Sequence, residues 1–291
     1  MARAKKQSKV SKEARPPLLG TLSNLFRGDP EQVAAHLLGY GLESVQILPN
    51  FPSFKFQTAA DFTTKACKDA AAPFLTSELT VAAISAHTNF IDPDRARRKK
   101  QVKRFDALIE HCGDFGTKYL VTESGTLHPA HPWEDFPDNH AEETFAALVD
   151  AMKPSMKLAE KAGVEVLIEG HLYQVVSSTD QAKKLREELG DHLGFVMDPA
   201  NYFSRGMISS STKQLKDIFK AIGKFSPVAH AKDVHYVGGD LNTPRAGTGS
   251  LDYKTFLELL DEYQPECPLI LEQIRPEELR ETIDFIDRFF E

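Results

Sequence analysis

Six ionisable side chains stand at or beside the ends of short apolar runs, where a fold could gather them into one site. They are His87, Glu123, Glu169, Asp198, His230 and Glu272. Carboxylates that face one pocket repel each other unless a cation lies between them. Carboxylates with an imidazole are suitable ligands for Mn²⁺, Mg²⁺, Co²⁺ or Zn²⁺, and of these ions we expect Mn²⁺.

A divalent ion flanked by two glutamates can acidify a C–H bond. The ion polarises a carbonyl and its neighbouring hydroxyl, which acidifies the adjacent carbon. One glutamate removes the proton, and the second returns it from the opposite side. The product is an isomer or epimer, or an alkene if a β-hydroxyl leaves.

These side chains act together only if the apolar runs are neighbouring strands. Eight such runs are predicted as strands: 18–22, 44–48, 81–87, 119–122, 164–169, 193–198, 227–232 and 269–272. Each precedes a segment with helical spacing: 30–39, 60–72, 95–112, 141–162, 179–189, 211–222, 252–263 and 276–290. Eight β-then-α units predict a single (β/α)8 TIM barrel, with its chemistry at the carboxyl ends of the strands. A doubly wound sheet is the alternative, but the first turn lacks a GxGxxG motif.

Two connections are long enough to be binding loops or lids. Residues 123–140 carry His128, His131, His140 and Trp133, and residues 233–251 are rich in glycine. Both follow predicted strands, so both should lie at the face of the barrel that holds the chemistry.

Four motifs resemble those of a known family. The segments LIEGH, VMDPAN, HAKD and LILEQI follow one another on the fifth to eighth predicted strands. Their order and spacing resemble the xylose isomerase-like (AP endonuclease family 2) TIM barrels. This superfamily contains sugar phosphate isomerases and epimerases, ketose 3-epimerases, inosose dehydratase and endonuclease IV. The resemblance covers a domain at 17–291, after a basic tail at 1–16 that we expect to be flexible.

The resemblance implies a ligand set and an acid/base pair. Ketose 3-epimerases bind one divalent ion through Glu, Asp, His and Glu on strands five to eight, and the matching residues are Glu169, Asp198, His230 and Glu272. In those enzymes the two glutamates also transfer the proton. The resemblance therefore implies that Glu169 and Glu272 are catalytic.

The residues expected to contact substrate depart from the epimerase pattern. Asn201 replaces the histidine of the epimerases' DxxH motif, Tyr236 replaces an arginine, and Val175 replaces a glutamate. The metal ligands are unaffected, but the substrate contacts must differ. Our candidate substrate-binding residues are His87, Glu123, Trp133, His171, Asn201, Lys232, Asp233 and His235. A structural role is the alternative for each, such as a solvated charge at a strand end.

The function predicted from these residues is isomerisation or epimerisation of a sugar or sugar derivative. A keto-sugar lyase or dehydratase would use the same groups, and a sugar-binding barrel without turnover is a further alternative. Endonuclease IV is disfavoured because it needs additional histidines, which align here with Asn201 and Asn242.

Composition limits the other classes of function. The net charge is −7, whereas residues 1–15 alone hold six basic residues and one acidic residue. An acidic body is unsuited to coating nucleic acid. No apolar run reaches the roughly 18 residues of a membrane span, and the tail lacks the apolar segment of a secretory signal. Three separated cysteines predict free thiols, and we expect a cytoplasmic protein. Dimers and tetramers are common for such barrels, and the sequence leaves the oligomeric state open.

Overall fold

The computed structural model describes residues 16–238 and 240–291. The predicted flexible tail at 1–16 therefore lies, except for Pro16, outside the described residues.

Eight parallel strands close into a barrel, which confirms the predicted fold. They run in the order β1-β10-β7-β6-β5-β4-β3-β2, and β1 pairs with both β10 and β2. The barrel strands are β1 (Leu18–Leu22), β2 (Ser44–Ile47), β3 (Thr80–Ser85), β4 (Tyr119–Glu123), β5 (Glu165–Glu169), β6 (Leu193–Met197), β7 (Val228–Ala231) and β10 (Pro268–Leu271). Because the strands are parallel, all their carboxyl ends lie at one face.

Helices surround the barrel, one after each barrel strand. They are α1 (Pro30–Gly39), α2 (Thr64–Thr76), α3 (Arg95–His111), α4 (Glu142–Ala162), α5 (Thr179–Leu189), α6 (Ser211–Ile222), α7 (Tyr253–Tyr263) and α8 (Leu279–Asp287). Side-chain oxygens cap several amino termini, as when Asp94 accepts hydrogen bonds from the backbone N–H groups of Ala96 and Arg97.

Two helices differ from their predicted bounds by more than one residue. The second helix begins four residues later than predicted, because Thr63 caps it by accepting a hydrogen bond from the backbone N–H of Ala66. Pro73 lies within this helix and does not end it. The last segment starts with a 3₁₀ turn at Pro276–Glu278, and its α-helix is shorter than predicted.

The connection at 233–251 contains a hairpin that the glycine-rich sequence did not predict. Strands β8 (His235–Val237) and β9 (Asp240–Asn242) pair antiparallel outside the barrel. This connection is therefore built around a β-ribbon.

The alternation of side chains along the strands places the candidate ligands. A small apolar cluster, distinct from the larger core, includes one residue each from β5, β6, β7 and β10: Leu167, Val196, Val228 and Ile270. Each lies two residues before a predicted metal ligand. Because strand side chains repeat their direction every two residues, each predicted ligand faces the same way, one layer nearer the carboxyl end.

All three cysteines are free and buried, as predicted from their spacing. None of the helices in the described part of the chain is long and apolar enough to cross a membrane.

Leu167 supports the floor of the site, so its truncation should destabilise the barrel. Leu167 is fully buried, and Leu167→Ala should lower the free energy of unfolding by about 2–5 kcal/mol, since it leaves a cavity in a packed core. Urea denaturation measures this change. The matched control is Leu38→Ala, at a side chain that is 47% exposed. Equal effects of the two substitutions would contradict the packing role of Leu167.

Candidate metal centre

Four side chains converge at the carboxyl end of the barrel. Glu169, Asp198, His230 and Glu272 each offer one ligand atom, and these atoms lie within 4.8 Å of one another. They come from β5, β6, β7 and β10 or from the position directly after the strand. The structure thus brings together the four residues that the sequence analysis selected, in a cluster that could hold a metal ion.

The orientation of His230 is set by a contact from the opposite side of the barrel. Its Nε2 donates a hydrogen bond to Gln46 Oε1 at 2.9 Å, and Gln46 Nε2 donates to Ser85 Oγ at 2.9 Å. The other ring nitrogen, Nδ1, then faces Glu272 Oε1 at 3.2 Å. The sequence analysis did not select Gln46 or Ser85 as site residues, and their place on neighbouring barrel strands was the only available signal.

Two buried ligand atoms lack hydrogen-bond partners among the described residues. They are His230 Nδ1 and Asp198 Oδ1. Buried polar atoms are normally hydrogen-bonded, so each such exception needs an explanation. A carboxylate oxygen and an imidazole nitrogen that has released its proton each offer a lone pair to a divalent cation. The residues present therefore fit a metal ion.

Lys232 is buried among the carboxylates of the cluster. Its Nζ lies 2.7 Å from Asp198 Oδ2, 3.1 Å from Glu272 Oε2 and 3.3 Å from Glu169 Oε1. The sequence analysis predicted a contact between this lysine and substrate. In the structure its ammonium group contacts all three carboxylates of the cluster and offsets part of their charge.

Asn201 holds two of the carboxylates in place. Its Nδ2 donates hydrogen bonds to Glu169 Oε1 at 2.8 Å and to Asp198 Oδ2 at 3.1 Å. A histidine is expected here from the epimerase pattern. An amide occupies this position in the present chain and donates to both carboxylates.

The charges in the cluster shift one another's pKa values. Burial favours the neutral form of Glu169, but the charges of Lys232 and His230 outweigh it and hold the pKa of Glu169 well below its ordinary value. Burial raises the pKa of Asp198. Burial alone would lower the pKa of Lys232, yet the three carboxylates raise it well above its ordinary value. Glu169 is therefore an ionised carboxylate at neutral pH.

An open cavity of about 410 Å³ lies above the cluster. Glu169, Lys232 and Glu272 line its base. Six of the eight candidate substrate-binding residues line it: His87, Glu123, Trp133, His171, Asn201 and Lys232. It also contains residues that the sequence analysis did not select, namely Tyr173, Leu241, Thr243 and Gln273. These four come from irregular segments or the unpredicted hairpin, so no strand pattern pointed to them.

The structure does not bring Asp233 and His235 into this cavity. Asp233 is buried, and its carboxylate accepts hydrogen bonds from the backbone N–H groups of Val234, Gly247 and Leu251. It therefore holds the connection after β7 in shape. His235 belongs to β8, where it pairs with Asn242.

His171 and Trp133 form one wall of the cavity. Their rings meet edge to face, with centroids 5.4 Å apart, and Trp133 is 50% exposed. Burial and the nearby charge of Lys232 lower the pKa of His171 to about 4. His171 is therefore a neutral imidazole, which can both donate and accept hydrogen bonds.

His87 also lines the cavity and has an unusual backbone conformation. Its φ angle is +46°, in the left-handed region that non-glycine residues rarely adopt. Its Nδ1 is hydrogen-bonded to Glu123 Oε1. Burial alone would lower the pKa of His87, but this hydrogen bond and the charge of Glu123 raise it above its ordinary value. Such strain is concentrated at ligand sites in proteins, which agrees with the selection of His87 from the sequence.

Comparison with known proteins places the chain in a family. Residues 34–289 match the family model described as xylose isomerase-like TIM barrel. No curated protein matches the sequence.

Solved structures share the fold at low sequence identity. A xylose isomerase domain protein from Planctomyces limnophilus is 16% identical, with a TM-score of 0.70 over 96% of this chain and 98% of that chain. The IOLI protein with a bound zinc atom is 21% identical, with a TM-score of 0.69 over 94% and 99%. The 3-keto-D-glucoside 4-epimerase YcjR from E. coli is 16% identical, with a TM-score of 0.67 over 94% and 98%. At these identities the likeness shows the fold alone.

Replacing Lys232 should lower the stability of the metal-free protein and strengthen metal binding. Lys232→Met leaves the buried carboxylates without their ammonium partner, and breaking a buried ion pair costs about 3–5 kcal/mol. It also removes a positive charge that repels a metal ion. We expect a lower Tm without metal, and a larger rise in Tm on adding MnCl₂ than in the wild type.

The control for Lys232→Met is Lys254→Met, at a surface lysine paired with Glu258. It should leave the effect of MnCl₂ on Tm unchanged. A smaller effect of MnCl₂ in Lys232→Met than in the wild type would show that Lys232 does not compete with the metal.

The pKa of His87 should depend on Glu123. In NMR titrations we expect the pKa of His87 to exceed 6.5 in the wild type and to fall in Glu123→Gln, whereas Glu143→Gln on α4 should not change it. Because the pKa is raised in the folded state, this pair stabilises the protein below pH 6.5, and its contribution disappears as the pH rises through the folded-state pKa. An unchanged pKa in Glu123→Gln would refute the pairing.

Proposed function

Because the chain belongs to the xylose isomerase-like TIM barrel family, we propose that it is a metal-dependent isomerase or epimerase of a sugar or sugar derivative. One observation carries the proposal. Three carboxylates and an imidazole converge within 4.8 Å at the base of an open cavity. Fold alone does not assign an activity, so the argument rests on this site.

We propose that Glu169, Asp198, His230 and Glu272 hold one divalent ion. Three of the four ligands are carboxylates, which favours a hard ion, and Mn²⁺ is our first choice among Mn²⁺, Mg²⁺, Co²⁺ and Zn²⁺. When bound, the ion would supply Lewis-acid polarisation of a carbonyl and its neighbouring hydroxyl.

The proton transfer is assigned to the two glutamates. Glu169 is ionised because Lys232 and His230 lower its pKa, so it is in the form that can accept a proton from carbon. The lowered pKa also makes it a weaker base, so the step depends on acidification of the carbon by the bound ion. Glu272 extends from β10, which is separated from β5 by β6 and β7, so it approaches the cavity from another side. In the proposed mechanism it returns the proton from that side.

Other residues position the substrate and the base in this mechanism. Asn201 fixes the Glu169 carboxylate, and Lys232 offers an ammonium group toward negative charge that develops on a substrate oxygen. The neutral His171 is placed to hydrogen-bond a hydroxyl group, and the exposed face of Trp133 suits the C–H surface of a sugar.

Two alternatives from the sequence analysis differ from an isomerase in the groups that they need. A lyase acting on a keto-sugar would use the same residues, and it differs only in a leaving group beta to the acidified carbon. The endonuclease alternative is weakened because residues 16–238 and 240–291 contain one cluster of metal-binding type. Asn201, which contacts that cluster, stands where the resemblance gives endonuclease IV a histidine.

Isotope exchange tests the proposed function. Purified protein loaded with MnCl₂ is incubated in D₂O with a panel of keto-sugars, and deuterium at carbon is measured by NMR and mass spectrometry. Glu169→Gln should bind sugar as the wild type does but lower the exchange rate by a factor of about 10²–10⁴, since it removes the general base. Elimination products in place of an exchanged sugar would assign a lyase. Sugar binding without exchange or elimination would assign a binding protein.

Metal content is the control for the isotope experiment. Elemental analysis should find about one equivalent of divalent metal in the wild type, since binding needs the whole ligand set. Asp198→Ala should lose it. Asp191→Ala, at a side chain that is 97% exposed, should retain it. A wild type that takes up no metal from MnCl₂ would refute the metal-dependent mechanism.

A further inference from the structure

A second cavity adjoins the one above the metal cluster. It measures about 350 Å³, within the usual range for ligand pockets. His87, Glu123 and Trp133 line both cavities. Because the two spaces share these three residues, they are neighbours, and we call the second one the side cavity.

Arg97 lines the side cavity and is held there by a network of hydrogen bonds. Its Nη2 donates to Asp92 Oδ1 at 2.7 Å, and its Nε donates to Asp92 Oδ2. Asp92 is buried and also accepts a hydrogen bond from Gln101 Nε2 at 3.0 Å. Gln101 is in turn fixed by the backbone N–H of Asn89 at 2.7 Å. The guanidinium is therefore positioned before any ligand binds.

The guanidinium keeps donors available. Of its five N–H groups, two are used by Asp92, and the remaining three have no acceptor among the described residues. The fork of an arginine matches the oxygens of a carboxylate or a phosphate.

The surrounding charge favours an anion. The segment RARRKKQVKR at 95–104 contains seven basic residues and no acidic residue, in a protein of net charge −7. Arg95, Lys99, Lys100 and Lys103 are exposed on α3. Of these, Lys100 is three residues after Arg97 and lies next to it on the helix surface, whereas the others point to other faces. Such a concentration of one charge attracts anions from solution. Within the side cavity Asp92 is paired with Arg97, and Glu123 with His87, so the unpaired N–H groups of Arg97 and the other basic residues of α3 are what favour an anion.

We propose that the side cavity binds an anionic group, a phosphate or a carboxylate, at the end of the substrate remote from the reacting carbon. This inference rests on the proposed function, which places the reacting end of the substrate over the metal cluster. The reacting end lies over the metal cluster, the anionic end contacts Arg97, and Trp133 covers the junction. The substrate class is therefore a sugar phosphate or a sugar acid, not a neutral sugar.

Titration with simple anions tests the side cavity. Inorganic phosphate, acetate and the neutral methyl glucoside are titrated by calorimetry into the full chain treated with a chelator, so that no metal binds the anions. We expect phosphate or acetate to bind, and Arg97→Met to weaken that binding about tenfold or more, since hydrogen bonds to a charged group are lost. The tighter of the two anions identifies the group.

Matched variants distinguish anion binding in the side cavity from a general effect of the positive charge of α3. Lys100→Met removes the same charge from α3 outside the cavity and should leave anion binding nearly unchanged. Arg97→Lys keeps the charge and should bind with intermediate affinity, which also guards against misfolding of Arg97→Met. Equal weakening in Arg97→Met and Lys100→Met would refute a specific site. Binding of methyl glucoside but of neither anion would assign the cavity to a neutral sugar and overturn the proposal.

The same titration in Asp198→Ala separates this inference from the proposed function. Anion binding that depends on Arg97 and persists in Asp198→Ala supports the side cavity even if no isotope exchange is found in the wild type. Isotope exchange with keto-sugars in a protein that binds neither anion would support the enzyme and refute the anionic subsite.

Discussion

The burial of three carboxylates at one end of the barrel is the constraint on which the rest of the site depends. Glu169, Asp198 and Glu272 each lie 3.2–3.7 Å from the same nitrogen of His230. Removing such charges from water costs several kcal/mol per ion unless they are paired. The ammonium of Lys232 and the amide of Asn201 supply part of that pairing. A divalent cation would supply more charge at the same place.

Barrel closure makes this arrangement rigid. The inward-facing residues Leu167, Val196, Val228 and Ile270 pack beneath the cluster, so each ligand extends from a fixed layer. In the closed barrel only β1 and β10 separate β2 from β7 on one side. Gln46 on β2 can therefore contact His230 on β7 and orient its ring. The hydrogen bond from Nε2 to Gln46 fixes the ring of His230, so that Nδ1 points in one direction. Histidines that bind metal ions are usually oriented by such a hydrogen bond from the second ring nitrogen.

The two cavities differ in the charge that surrounds them. The cavity over the cluster has a carboxylate-rich base that is suited to a cation, whereas the side cavity lies against the basic start of α3. A substrate with a carbonyl at one end and an anion at the other matches both. His87, Glu123 and Trp133 stand between them, so changes at these residues would affect both ends of such a substrate.

The sequence by itself determined the order of strands and helices, because each strand is an apolar run and each ligand stands at its polar end. The polar ends of the runs supplied six ionisable candidates, and the resemblance of four motifs to the xylose isomerase-like barrels reduced them to the four ligands. Only the tertiary structure revealed the contact between Gln46 and His230, which are 184 residues apart, and the place of Arg97 beside the cavity. Asp233 was predicted to contact substrate but instead binds backbone N–H groups. Local pattern fixes where a residue lies along its own strand, but contacts between distant segments depend on how the barrel closes.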